Sequence, residues 1–383
     1  MRIASISLVK NEADILEGFV RHNLHFVDRM YLIDDRSTDN TPEILRRLTA
    51  ESDRVQVLED GWTGAFHQAR RTTGALHLIR QADDWDFVLA LDADELICAS
   101  ERAVFEADLA AIPPGMAGAF AELRYLAGPD DNLDLVDPLA RLHWTLPCDT
   151  SAIFKSIAPR AMLDDASLAF SEGNHHLISH GAGVPTFILP HVPLAHFAIR
   201  SVDQIAIKCL KHYVGWRSRG DYDPILAGDS MAGVETLRAE PRFALSADAA
   251  IVPTYCRNYE METARPRPFT ERHGALKWPE LAVSPPYDQL VGMLDQLIAA
   301  AATADALIKA SGGTLTTDAV GKLVEENKAL MLDLRIAGQN AHQREMEVQR
   351  LTSSPSKLAK AYWKAVGRRL TRSLSKRRAA RAA

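Results

Sequence analysis

Apolar positions in the first hundred residues switch repeatedly between two periods. Arg2 to Val9 is a β-rich run, after which Ala13, Ile15, Leu16, Phe19, Val20, Asn23 and Leu24 follow at helical spacing. Met30 to Ile33 gives a second short strand, closed by the polar stretch Asp34 to Pro42. There Thr41 is placed to cap a helix with Pro42 at its first position, and Ile44, Leu45 and Leu48 continue the apolar stripe. Val55 to Leu58 reads as a third strand, Ala65 to Ala82 as a helix, and Phe87 to Leu91 as a fourth strand. Strands and helices in strict alternation predict an α/β domain with a parallel sheet and right-handed crossovers.

Beyond Ser100 the periodicity weakens. Pro113-Pro114-Gly115 and Gly128 to Asn132 mark turns around a strand at Ala119 to Tyr125, and Ala152 to Ala158 reads as another strand. A histidine-rich stretch, His175 to His196, precedes a helical pattern from Ser201 to Trp216. The expected organisation is a catalytic-type domain over 1–216, an irregular extension over 217–285 rich in turns and prolines, a helical region over 286–352 and a basic tail over 353–383. In the helical region Leu290, Leu294, Leu297, Ala301, Ala304 and Ile308 form one stripe that stops at Ser311-Gly312-Gly313. A second stripe runs from Val320 through Leu323, Asn327, Leu330, Leu334, Ala337, Ala341 and Val348 to Leu351 in three- and four-residue steps. Two arrangements follow: a helical hairpin within the chain, or a coiled coil that makes a homodimer through 318–351, the one we favour.

Charge changes the picture only at the carboxyl end. The net charge is −6, yet Lys357 to Arg381 holds ten Lys or Arg and no acid, leaving the rest near −16. An acidic body of this kind argues against a nucleic-acid partner. In the tail Leu358, Tyr362, Val366, Leu370 and Leu374 lie four apart, with Lys360, Lys364, Arg368, Arg372 and Lys376 on another face. That pattern predicts either peripheral contact of 355–383 with an anionic membrane or a solvated tail. No apolar run reaches transmembrane length, and Met1 to Val9 passes into Lys10-Asn11-Glu12 with no cleavage site, so the expected location is the cytoplasm, with a place on the inner face of the membrane if the tail binds it. The four cysteines are dispersed and predict neither a zinc ribbon nor a disulfide framework.

Candidate chemistry gathers at strand ends. Lys10-Asn11-Glu12 follows the first strand, Asp34-Asp35-Arg36-Ser37-Thr38-Asp39 the second, and Asp92-Ala93-Asp94-Glu95 the fourth. In a parallel sheet these loops converge on one edge, where such folds bind ligands. Clustered carboxylates stay ionised at low cost when a cation lies between them, which points to a hard divalent metal and an anionic substrate; the plain alternative for the tetrad alone is a solvated acidic loop. Neither a Gly-x-Gly-x-x-Gly after the first strand nor a P-loop is present.

These blocks together resemble the glycosyltransferases of the GT-A fold, in the family 2-like group that opens with Lys-Asn-Glu. The resemblance rests on Val9 to Glu12, the helix through His22, Tyr31 to Thr41 and Asp84 to Glu95. Less specific markers are Phe154 to Ile157, Gly173 to His176 and His196 to Ser201. It implies a Rossmann-like, mostly parallel sheet flanked by helices, here with a carboxyl-terminal hairpin or coiled coil. It also implies a metal-dependent, inverting transfer from a nucleotide-sugar, UDP-linked by our reading, to a cell-envelope glycan or lipid-linked acceptor.

By that resemblance Lys10, Asn11, Glu12, Asp34, Asp35 and Asp92 belong to the donor site, with Asp34 or Asp35 accepting hydrogen bonds from base or ribose unless one of the pair caps the turn. Asp92 and Asp94 would serve Mn²⁺ or Mg²⁺, with His196 as third ligand ahead of His176, while His180 and His191 read as structural. Arg70, beside Arg71, is a candidate partner of the diphosphate or a surface residue. Arg200 is placed to meet phosphate or a carbonyl, and Glu95 the acceptor or its own loop. For the catalytic base we favour Asp165, with Glu172 next and Asp164 and Asp149 open. Two other functions compete: a nucleotidyltransferase, disfavoured by Lys-Asn-Glu where a glycine-rich loop belongs, and an inactive scaffold recruited to membranes.

Overall fold

The computed structural model describes residues 1–61, 66–128, 130–132, 134–148, 155–217, 232–234, 263–283, 289–299 and 302. The chain forms two compact units: Met1–Ile205 with Val214–Asp223 and Cys256–Pro285, and Ala206–Tyr213 with Pro224–Tyr255 and Pro286–Ala383. In the second unit a helix over 289–299 covers the start of the stripe predicted from Leu290. The heptad seam at 318–351, the tail at 353–383, Asp149 and most of the 217–285 extension lie outside the described residues.

The first unit begins with β1 (Ile3–Val9), α1 (Leu16–Asn23), β2 (Arg29–Asp34), α2 (Thr41–Glu51), β3 (Val55–Val57), α3 (Gln68–Ala82) and β4 (Phe87–Ala90). Then come β5 (Glu95–Ile97), α4 (Arg102–Ala110), β6 (Ala117–Phe120), β7 (Glu122–Leu126), α5 (Pro138–Arg141), β8 (Trp144–Thr145), β9 (Lys155–Pro159) and α6 (Arg160–Leu163). The chain continues through β10 (Ala169–Phe170), β11 (Leu177–Ser179), β12 (Ala182–Gly183), β13 (Thr186–Ile188), β14 (Leu194–Ile199) and α7 (Val202–Arg217), with β15 (Arg265–Pro266) in the returning segment.

The central sheet has the order β13-β6-β9-β4-β1-β2-β3. β1 to β4 are mutually parallel, as the alternation predicts. The sheet as a whole is mostly parallel rather than purely so, because β9 runs antiparallel between β4 and β6. Both faces are covered, which is why these strands read as near-continuous apolar runs. Ile3, Val9, Met30, Leu32, Leu89 and Leu91 pack on one face with Leu16, Phe19, Ile44 and Leu48. Ala4, Ile6, Tyr31, Ile33, Val88 and Ala90 pack on the other with Leu76, Ile79 and Trp85.

The single strand expected over Ala119 to Tyr125 is two. β6 belongs to the central sheet, while β7 joins a second sheet of order β15-β8-β7-β14-β5. The change of sheet falls at Ala121, which is buried like its neighbours and whose carbonyl accepts the Leu194 N–H at 2.8 Å, so the apolar pattern gives no sign of it. Thr41 also departs from expectation. The cap position is Asn40, with no side-chain cap bond, and the Thr41 hydroxyl instead accepts the Glu12 N–H at 2.9 Å.

Residues 263–283 lie along α1. The buried Glu17 carboxylate accepts the backbone N–H groups of Lys277 at 2.7 Å and Trp278 at 3.1 Å, and Arg21 stands 4.9 Å over the Trp278 ring. His22 is buried and accepts the His273 N–H on Nδ1 at 3.1 Å, which leaves Nε2–H to donate to the Ile97 carbonyl at 2.8 Å. Burial, aided by nearby His273 and His25, lowers this imidazole to about 3 and holds it neutral.

Candidate active site

The loops after β1 and β2 are stitched into one surface. Asn11 takes a left-handed φ of 53°, which an asparagine tolerates far better than most residues. Its N–H donates to Ser37 Oγ at 2.8 Å, and its Oδ1 accepts the Thr38 N–H at 2.7 Å. The Ala13 N–H donates to Asp39 Oδ2 at 3.1 Å. Lys10 Nζ reaches the Asp35 carbonyl at 2.8 Å and its carboxylate at 3.1 Å. The Lys-Asn-Glu loop is therefore shaped by the Asp34 to Thr41 block.

The two aspartates of that block have different work. Asp34 caps the local turn, accepting the Ser37 N–H at 3.1 Å and hydroxyl at 2.5 Å, while burial raises its pKa against those bonds. Asp35, 3% exposed, accepts Arg71 Nη1 at 2.6 Å, and Arg71 also pairs with Asp60 at 2.6 Å. Of the adjacent pair Arg70 and Arg71 on α3, Arg71 is the one built into the cluster, whereas Arg70 is exposed.

The acidic tetrad divides into halves. Leu89 pairs with Ile157 across β4 and β9, and continuing this antiparallel register brings Lys155 to the carboxyl end of β4. Lys155 Nζ lies 2.5 Å from Asp92 Oδ2 and 3.4 Å from Glu95 Oε1, and donates to the Gly173 carbonyl at 2.8 Å. Gln68, at the start of α3, donates to Asp92 Oδ1 at 2.7 Å. Burial opposes charge on Lys155, yet Asp92 and Glu95 raise its pKa and keep it an ammonium. Burial pushes Glu95 up, with Lys155 working against that shift. Glu95 Oε2 accepts the Asp92 N–H at 2.9 Å, so this carboxylate orients its own loop.

Asp94 faces the other way. β14 lies between β5 and β7, pairing His196 with Glu95 on one side and with Arg124 on the other. His196 Nε2 stands 3.4 Å from Asp94 Oδ1, and its Nδ1 bonds Glu122. Burial disfavours the charged ring, but Glu122 and Asp94 overcome this and raise His196 to about 10. Glu122 in turn falls to about 2 as His196 and Arg124 outweigh its burial. Arg200, just past β14, is 3.4 Å from Asp94 Oδ2 and binds Glu12 at 2.7 Å and Asp14 at 2.6 Å.

The two base candidates lie at opposite ends of α3. Gln68 touches Asp92, while Arg80 donates to the Asp165 carbonyl; twelve residues at 1.5 Å each separate these points by about 18 Å. The Asp165 carboxylate accepts from Ser179 at 2.6 Å and from the Ser167 hydroxyl at 2.8 Å, which depress it to about 2. Glu172 opens the 3-10 turn Glu172–Asn174, whose Gly173 carbonyl is held by Lys155 beside Asp92. Asp164 is exposed and ion-pairs with Arg160 at 3.8 Å. His176 is exposed, with its N–H on Ser171 Oγ at 3.0 Å. His180 and His191 face Asp165 at 3.8 Å and Asp108 at 2.7 Å, away from the tetrad's contacts.

Several contributors escaped the sequence reading: Asp14, Gln68, Glu122, Arg124 and the bracing role of Lys155. Glu122 and Arg124 were visible as charges within an apolar strand run, and Lys155 as a lysine opening one. A charge held inside a buried strand needs a partner. A separate group, Asp130, Asp131 and His143, brings one potential ligand atom each within 4.8 Å of the others, and Trp144 donates to Asp130 at 2.5 Å.

Residues 6–98 match the model of glycosyl transferase family 2, and this segment carries all three strand-end clusters. That segment is a glycosyl transferase family 2 match, and it places glycosyltransferase chemistry at these strand ends. No curated protein matches the chain. Among solved structures, this glycosyltransferase is similar to the mannosyltransferase PcManGT from Pyrobaculum calidifontis in complex with GDP-Man and Mn²⁺, at 16% identity, over 88% of this chain and 86% of that one, with a TM-score of 0.34. It is also similar to S. aureus TarS at 14% identity, over 67% of this chain, with a TM-score of 0.28. It spans 47% of that TarS chain. A third similarity is to glucosyl-3-phosphoglycerate synthase from Mycobacterium tuberculosis, at 15% identity, over 44% of this chain and 60% of that one, with a TM-score of 0.26.

Proposed function

We propose that this glycosyltransferase is metal-dependent and moves a sugar from a UDP-linked donor to a cell-envelope glycan or lipid-linked acceptor, with inversion at the anomeric carbon. The observation that carries the reading is Asp94 beside His196, with Oδ1 and Nε2 3.4 Å apart at the convergence of the strand-end loops. The Asp94 oxygen suits Mn²⁺ and Mg²⁺ alike, and His196, an imidazolium between Glu122 and Asp94, would give up a proton to serve as a nitrogen ligand. Asp94 and His196 would hold the ion, with Asp92 turned toward the ribose. When bound, the metal neutralises charge on the departing diphosphate.

The chain's own residues do the rest. Asp34 and the Lys10 loop form the wall for the nucleoside, with Asp35 braced behind them by Arg71 and Lys10. Glu172, more than Asp165, is placed to act as the base, because its turn is tied to Lys155 next to Asp92. It would take the acceptor hydroxyl proton as that oxygen bonds to the anomeric carbon and the carbon–oxygen bond to phosphate breaks, its electron pair leaving with the nucleoside diphosphate.

No helix among the described residues is long and apolar enough to cross a membrane. The basic, amphipathic pattern of 355–383 supports peripheral contact with an anionic membrane, and the heptad pattern supports a homodimer through 318–351. The test of donor chemistry is mass spectrometry of the protein incubated with Mn²⁺ and UDP-, GDP- and dTDP-linked sugars. Consumption of a UDP-sugar with release of UDP is expected, and no consumption of any donor would refute the reading.

A further inference from the structure

We infer that Arg200 is a positioning residue for the metal-binding carboxylate, acting through Asp94 and not on the substrate; this rests on the function proposed above. Its side chain is 1% exposed. Nε donates to Asp14 Oδ2 at 2.6 Å, and Nη2 to Glu12 Oε2 at 2.7 Å and Asp14 Oδ1 at 3.0 Å. Nη1 donates to the Phe197 carbonyl at 3.1 Å and to Asp94 Oδ2 at 3.4 Å. A guanidinium has five N–H groups, and these five contacts use all of them. None remains for a phosphate, so the simple reading of a buried arginine near a diphosphate site as its clamp does not hold here.

What the fork does is join two loops. Glu12 and Asp14 follow β1, Asp94 follows β4, and Arg200 follows β14, so one planar group fixes the Lys-Asn-Glu loop against the acidic tetrad. Asp94 is thereby held from both sides, with His196 on Oδ1 and Arg200 on Oδ2. Three carboxylates around one guanidinium leave the pocket short of positive charge. The arrangement presents Asp94 in one orientation while keeping a cation favourable beside it. A lysine keeps the charge but not the fork, since a single ammonium cannot span three carboxylates in fixed geometry.

The test is Arg200→Lys in the full chain, read by Mn²⁺ binding followed by electron paramagnetic resonance without donor, and by turnover measured well below the unfolding temperature. We expect Mn²⁺ binding roughly 10-fold weaker and kcat at least 10-fold lower, with the KM for nucleotide-sugar changed less than threefold. In the Asp94→Asn background the same substitution should add nothing further to either readout. A merely structural role would lower the folded fraction without shifting the Mn²⁺ constant of the folded protein. If the lysine variant does not fold, Asp14→Asn, which weakens one arm of the fork, should weaken Mn²⁺ binding severalfold. Wild-type-like Mn²⁺ binding and kcat in the folded variant would overturn this role alone. Absence of both Mn²⁺ binding and turnover in the unaltered protein would overturn the proposed function, and this role with it.

Discussion

Lys155 Nζ lies 2.5 Å from Asp92 Oδ2, and the same ammonium is 3.4 Å from Glu95 Oε1. The acidic tetrad therefore carries its own buried cation for one half, which leaves Asp94 to His196 and Arg200. The separation explains how closely spaced acids coexist at a strand end without all requiring a metal.

Removing that cation should be costly. Lys155→Met leaves the buried Glu95 and the half-buried Asp92 without their shared cation, and breaking a buried pair by deleting one partner costs about 3–5 kcal/mol, at the low end where one acid reaches solvent. Urea unfolding should show this loss at pH 7, and Glu95→Gln in the same background should recover part of it. A loss below about 1 kcal/mol, within the range of an exposed ion pair, would contradict the assignment.

Much of this was legible in the sequence, for a physical reason. The strand runs and their acidic loops are contiguous in the chain, so β1, β2 and β4 and the three polar clusters could be read directly. The pairings between clusters were not legible, because they depend on strands that arrive from far along the chain. Lys155 reaches Asp92 only because β9 is antiparallel to β4, and Glu122 reaches His196 only because the chain changes sheets at Ala121. Choosing Arg71 over Arg70 likewise depends on which face of α3 turns toward Asp35, and the two neighbouring residues look alike in the sequence.

His22 should make stability depend on pH. Its folded pKa is depressed to about 3 from 6.5, so the unfolded chain binds the proton first and stability falls as pH drops below 6.5. The contribution is full above the unfolded value and diminishes toward about 3, amounting to about 2 kcal/mol between pH 7 and 5. His22→Gln keeps an acceptor and a donor but does not titrate, so its urea stability should fall by that much less over the same window. Parallel curves for the two proteins would reject the assignment.

The choice between base candidates predicts opposite outcomes. Glu172→Gln should lower kcat by roughly 10²-fold or more with the donor KM little changed. Asp165→Asn, whose carboxylate is committed to Ser167 and Ser179, should keep turnover within about threefold and act on stability instead. Steady-state kinetics with saturating acceptor decides this, and a large loss confined to Asp165→Asn would reverse the order.

The central claim is a nucleotide-sugar site whose metal is held at Asp94. Its most direct measurement is release of nucleoside diphosphate by the full chain stripped with chelator and then titrated with Mn²⁺, alongside Asp94→Ala. The account predicts no release after stripping, recovery with Mn²⁺, and at least about 10²-fold lower release by the alanine variant at any Mn²⁺ concentration. Equal release by both proteins, with or without Mn²⁺, would contradict it.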